Sequence, residues 1–120
     1  MLIEKVVLDY LSRKLNVPVF TELPEVPSED YRVLPEEFVV IEKTALSMTD
    51  MVWTATVAIQ SYSLKSMFGA AALDEDVQGF MNEMPREVDA ISGLKLNADT
   101  NFTDTRTKRY RYQCVYNIFY

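Results

Sequence analysis

The stretch TKRYRYQCVYNIFY, residues 107–120, closes the chain with an uninterrupted alternation. From Tyr110 onward, Tyr110, Tyr112, Cys114, Tyr116, Ile118 and Tyr120 fall on one side of an extended backbone, and Arg111, Gln113, Val115, Asn117 and Phe119 fall on the other, with Arg109 ahead of them. Successive strand side chains point to opposite faces, so this period of two predicts a closing β-strand with one aromatic row for a core. Four basic groups, Arg106, Lys108, Arg109 and Arg111, accompany it. Such a strand could stack nucleotide bases on its tyrosines, or border a surface that adheres to other protein.

Upstream, Leu94, Leu96 and Ala98 alternate with Lys95, Asn97 and Asp99, and the polar residues 101–107 join this run to the last strand as a hairpin. Residues 38–44 and 51–63 are rich in valine, threonine and aromatics, and the short connection 46–50 predicts a second antiparallel pair. In its longer member Met51, Trp53, Ala55, Val57 and Ile59 form the row expected to meet helices, and Val52, Thr54, Thr56, Ala58 and Gln60 a milder second face.

Two segments carry the helical period instead. Ile3, Val6, Val7, Tyr10, Leu11 and Leu15 predict an amphipathic helix ending near Asn16. Met67, Ala70, Leu73, Val77, Phe80, Met81 and Met84 predict a second, capped by Ser63 or Ser66, or by Asp74 if shorter, and stopped by Pro85. Residues 17–20 are short, β-rich and contain Pro18, so they belong at a sheet edge. Residues 22–37 hold three prolines and six acidic groups and are expected to form a projecting loop. The sum is one α+β domain over residues 1–120, of order α-β-β-β-α-β-β. Its sheet is mainly antiparallel, with two helices packed on one face and a long acidic proline-broken loop.

The 120 residues, 48% of them apolar, suffice for one core without staples. No apolar run approaches the roughly 20 residues of a membrane helix, and the start lacks the features of a secretory signal, so a soluble protein in a reducing compartment is expected. The lone Cys114 reads as a reduced core residue. Twelve basic against eighteen acidic side chains give a net charge of −6, which disfavours general attraction to phosphate. The charge is uneven: residues 22–42 carry seven acids and only Arg32 as a base.

Histidine is absent, which removes the commonest general base and metal ligand, and the three glycines form no phosphate-cradling pattern. No cofactor or metal is expected. The carboxylate pairs Glu36-Glu37 and Asp74-Glu75-Asp76 remain candidates for acid–base work, but their setting reads as a polar loop and as a helix N-terminus or wet face. A non-enzymatic protein is the expectation.

Four stretches carry a resemblance: NVPVFTELPEVP at 16–27, EEFVVIEKT at 36–44, VWTATVAIQSYS at 52–63 leading into a helix, and TDTRTKRYRYQCVYNI at 103–118. In this order they resemble the tail completion, or tail terminator, proteins of long-tailed bacteriophages and prophages. The resemblance implies a ring, usually a hexamer, that caps the head-proximal end of the tail tube and meets the head–tail connector protein. Such a subunit is assembled in the bacterial host cytoplasm and resides in the virion, and DNA passes through the ring without being held. It also gives the acidic loop a use: Glu22, Glu25, Glu29 and Asp30 of one subunit are candidates to meet Arg106, Lys108, Arg109 and Arg111 of a neighbour. The competing readings are an unrelated α+β adaptor or regulatory protein-binding domain and a single-stranded nucleic-acid binder.

Overall fold

The computed structural model of the chain describes residues 1–23, 35–104 and 109–120. The first helical period becomes α1 (Ile3–Lys14), whose Ile3, Val7, Tyr10 and Leu11 are buried at the spacing of one helix face. Glu4 in its first turn and Arg13 and Lys14 in its last suit the helix dipole. The chain then extends through Pro18 into β1 (Val19–Phe20), which pairs in parallel with β2 (Glu37–Thr49) at the sheet edge. Pro18 costs no ladder bond there, and its carbonyl accepts from the Val39 amide at 3.0 Å.

β2 turns back into β3 (Val52–Ser63), and their ladder runs to the tip, further than the predicted strand end at 44. A register shift between Lys43 and Ala45 leaves Thr44 as the extra residue of a bulge, which lets pairing continue past the polar position. Asp50 and Met51 form a two-residue turn with φ of 51° and 67°, the left-handed pair that closes tight hairpins.

The second helical period becomes α2 (Met67–Glu87). Ser66 caps it, its hydroxyl accepting from the Gly69 amide at 2.9 Å, while the Ser63 hydroxyl accepts from the Lys65 amide in the loop before it. Gly69 is required by close approach, since a Cβ there would lie 2.8 Å from Ser63 Oγ. Pro85 does not stop the helix where expected. It sits in the last turn, where its missing N–H costs one bond, and the Val88 amide still closes on the Met84 carbonyl at 2.9 Å. Asp74 starts no shorter helix; it lies mid-helix and is buried.

β4 (Gly93–Asn101) and β5 (Tyr110–Phe119) form the second antiparallel hairpin, giving a sheet of order β1-β2-β3-β5-β4. Both helices lie on one face, over Val39 and Ile41 of β2, Ala55, Val57 and Ile59 of β3, and Cys114, Tyr116 and Ile118 of β5. Each fully buried aliphatic of this core contributes roughly 1.5–3 kcal/mol. The row expected from β3 is therefore only half in the core: Met51 is 86% and Trp53 38% exposed, because the hairpin runs out past the helices. Leu46, Met48 and Val52 are exposed with them.

Met51 is the residue least suited to its backbone, because a side chain at positive φ is strained where glycine is not. Met51→Gly should raise stability by about 0.5–1 kcal/mol in urea melts, and a loss of stability would show that the Met51 side chain has a partner within the fold.

A cationic and aromatic candidate interface on the open sheet face

The face of the sheet opposite the helices is not bare. Phe38, Val40 and Tyr62 are buried there with Phe20 packed against them. Phe38 stacks on Tyr62 with ring centroids 4.7 Å apart and planes within 9°, and Phe20 meets Phe38 edge-on at 6.1 Å. Beyond them β3 and β5 are laced by side chains: the Gln60 amide donates to Gln113 at 3.2 Å, and the Thr56 hydroxyl to Asn117 at 2.9 Å. This half of the sheet is polar, so it tolerates water or a polar partner.

Arg111 projects from β5 onto this face. Its guanidinium donates to the Tyr62 hydroxyl at 3.1 Å and lies 5.7 Å from the Tyr62 ring centroid and 5.5 Å from that of Phe102. The Phe102 amide donates to the Arg111 carbonyl at 2.8 Å and the Asp104 amide to the Arg109 carbonyl at 3.1 Å, so the hairpin continues past β4 and holds both arginines side by side. A cavity of about 170 Å³ opens here, lined by Leu23, Tyr62, Phe102, Asp104, Arg109 and Arg111.

Of the residues expected at an interface, Arg109 and Arg111 are thus brought together, and Arg111 is already engaged within its own chain. Glu22 is exposed and lines a groove of about 550 Å³ with Leu2, Lys5, Leu8 and Lys43 between α1 and β2, while the next residue, Leu23, lines the cavity of Arg109 and Arg111. Glu25, Glu29, Asp30, Arg106 and Lys108, with most of the expected acidic loop, lie outside the described residues. Sequence reasoning missed Tyr62 and Phe102, the rings that orient Arg111. Tyr62 continues the milder row of Ala58 and Gln60, so the period could have placed it; Phe102 carried no signal.

The tyrosines of β5 do not form a platform for bases. They share the helix side, where Tyr116 is fully buried and Tyr110 and Tyr112 are half-buried. Of the carboxylates considered for acid–base work, Glu36 pairs with Lys65 at 3.1 Å, and Glu75 and Asp76 are exposed. The expectation that Asp74 is solvated is overturned: it is 2% exposed, because the helix period places it on the same side as Ala70, Leu73 and Val77. At the helix junction Glu87 is held below the usual carboxylate range by Tyr10 and Lys14, and Tyr10 is raised mainly by burial. Among the described residues no group of three or more acids and cysteines is arranged to hold a metal ion, and no helix is long and apolar enough to cross a membrane.

No protein-family model matches this sequence, and no curated protein matches it.

Cys114 is fully buried, and its thiol is pushed up by burial first and then by Asp74 and Asp99. It should resist thiol reagents in the native protein and label fully in denaturant; rapid native labelling would contradict the placement of β5. Arg111→Lys keeps the charge but loses the planar contact with two rings, and should lower stability by roughly 1 kcal/mol in urea melts. An unchanged midpoint would show that the stacking contributes nothing.

Proposed function

We propose that this chain is a non-enzymatic structural subunit of a phage or prophage tail, resembling tail terminators, that assembles with copies of itself into a ring, a hexamer, on the tail tube. In this reading it ends the tube and offers the surface on which the head–tail connector protein docks. Its place is the head-proximal end of the tail in the virion, reached after assembly in the host cytoplasm.

The observation that carries the reading is the element order α-β-β-β-α-β-β, the order expected from the periodicity of the sequence, within which the four resembling stretches fall on or around β1, β2, β3 and β5. Two features support an adhesive rather than a catalytic role. The β2–β3 hairpin presents Leu46, Met48, Met51, Val52 and Trp53 to the outside at one end of the sheet, and clustered exposed apolar side chains are characteristic of protein contact sites. The open sheet face adds a cationic and aromatic cavity lined by Tyr62, Phe102, Arg109 and Arg111. A net charge of −6 suits a ring through which DNA passes without being gripped.

Arg111 is bonded to Tyr62 and lies over the rings of Tyr62 and Phe102, so the test falls on the other expected charges, Arg106, Lys108 and Arg109. Purified protein incubated with tail tube protein should form six-fold rings in negative-stain images. The triple variant Arg106→Glu, Lys108→Glu and Arg109→Glu should stay folded and lose ring formation, with the wild-type ring weakening as salt is raised. A chain that remains monomeric in the presence of tube protein, or that binds a host protein instead, would favour the adaptor reading. Rings that survive the triple reversal would remove the proposed pairing while leaving the ring.

A further inference from the structure

The outer strand β4 does not keep its alternation. Leu94 and Leu96 pair with Ile118 and Tyr116, but the register then shifts, so that Ala98 pairs with Val115 and Asp99 with Cys114. The extra residue is Asn97. Because Cys114 faces the core, the bulge turns Ala98 toward the open face and brings Asp99 to the helix side of the sheet.

There α2 presents Asp74, which is 2% exposed. Its Oδ2 accepts from the Gln78 amide nitrogen at 2.9 Å, one helical turn on, and its Oδ1 is buried without a hydrogen-bond partner. The Tyr116 hydroxyl is buried and unpartnered as well. The groups that act on Asp74 are Asp99 from β4, Cys114 from β5, and Gln78 of its own helix; Tyr116 of β5 feels both carboxylates in turn. The helix-facing residues of β3 here, Ile59, Ser61 and Ser63, are not ionisable. Of the basic groups of α1, Lys5 lines the groove against β2, and Arg13 and Lys14 lie at the far end of α2, beside Tyr10 and Glu87. Among the described residues no cation compensates Asp74.

A carboxylate removed from water, with one oxygen bare and a second carboxylate beside it, is unfavourable when ionised on both counts. A proton on Oδ1 answers both, since it satisfies the bare oxygen and turns repulsion into a hydrogen bond donated to Asp99. We propose that Asp74 and Asp99 form a proton-operated latch, in which a shared proton holds α2 against the bulged outer strand β4 and its loss loosens that edge of the sheet. This inference stands on the fold and does not depend on the assembly reading.

The Asp74 titration agrees with it: burial first, and then Asp99, raise the pKa to about 7, while Gln78 and Cys114 oppose the rise. The sign follows from linkage. The unfolded or released Asp74 loses its proton near about 4, so between about 4 and about 7 the latched state holds a proton that the released state lacks. Latching is strongest at the acid end of that window, weakens as pH rises through it, and is constant above it. β4 is the element that yields, because as an edge strand it is paired on one side only, by β5, and can open without disturbing the central ladder.

The test is a carbon-13 titration of the Asp74 side-chain carboxyl in the intact protein, alongside amide hydrogen exchange with intrinsic rates divided out. The Asp74 carboxyl should titrate near neutral pH. Protection of residues 97–101 should fall by up to about tenfold per pH unit from about pH 5 to about pH 7, then level off. In Asp74→Asn the protection should not vary over this range. A carboxyl that titrates in the ordinary aspartate range, or an identical loss of protection in Asp74→Asn, overturns the latch. Should Asp74→Asn fail to fold, Asp99→Asn decides the matter: removing the second carboxylate should lower the Asp74 midpoint, and an unchanged midpoint rejects the pairing.

Discussion

The arrangement depends on β5, the last strand in the sequence, lying inside the sheet between β3 and β4. Its ladder with β3 pairs Thr54 with Phe119 through Ser63 with Tyr110, and brings Cys114, Tyr116 and Ile118 under the helices beside Ile59, Val57 and Ala55. A shift of one residue would send these side chains to the open face and expose Arg111 and Gln113 to the core, so the register is tied to burial. The pairs are far apart in sequence, and loop-closure entropy must be overcome before any of them gains from pairing. The helices alone cannot complete the core; it forms only when the closing strand has been inserted.

That one strand explains both faces. On the helix side Cys114, Tyr116 and Ile118 are fully buried, and the Cys114 thiol donates to the Ile59 carbonyl at 3.8 Å across the ladder. On the other side the same strand supplies Gln113 to Gln60, Asn117 to Thr56 and Arg111 to Tyr62, a polar seam that needs no cover. The alternation read at the start is therefore a division of labour. Stability resides mostly on the row beginning at Tyr110, and the polar and charged side chains left in reach of water on the row beginning at Arg109 and Arg111.

Periodicity made the element order legible, because the core is built from regular faces: α1, α2 and the strand rows of β3 and β5 each repeat the spacing that burial requires. What escaped was departure from regularity. The bulges at Thr44 and Asn97 are set by how two strands register along a twisted sheet, and neither position carries a glycine to advertise it. The first lengthened a hairpin that the reading ended early; the second broke the expected row of Leu94, Leu96 and Ala98. Asp74 escaped because a single acid on a helix is compatible with a wet face until the packing partner is known. At the candidate interface, Arg109 and Arg111 were legible from charge, whereas the rings that hold Arg111 come from Tyr62 in β3 and Phe102 just past β4, and only the fold brings them together.

Arg111 and Asp74 show how the two faces treat charge differently. Arg111 remains half solvated, flanked by rings and bonded to a hydroxyl, so its charge keeps contact with water and its geometry is fixed. Asp74 is removed from water beside another acid, so its ionised form is opposed. A leucine at position 74 would continue the apolar stripe of Leu73 and Val77 without that penalty. Keeping an acid there makes the contact between helix and edge strand conditional where the rest of the core is unconditional. The condition falls on β4, the outermost strand, and leaves the β3–β5 ladder untouched. Sensitivity is thereby confined to an edge of the molecule, while in the β3–β5 ladder that fixes the fold the charged Arg111 is bonded to a tyrosine rather than to an acid.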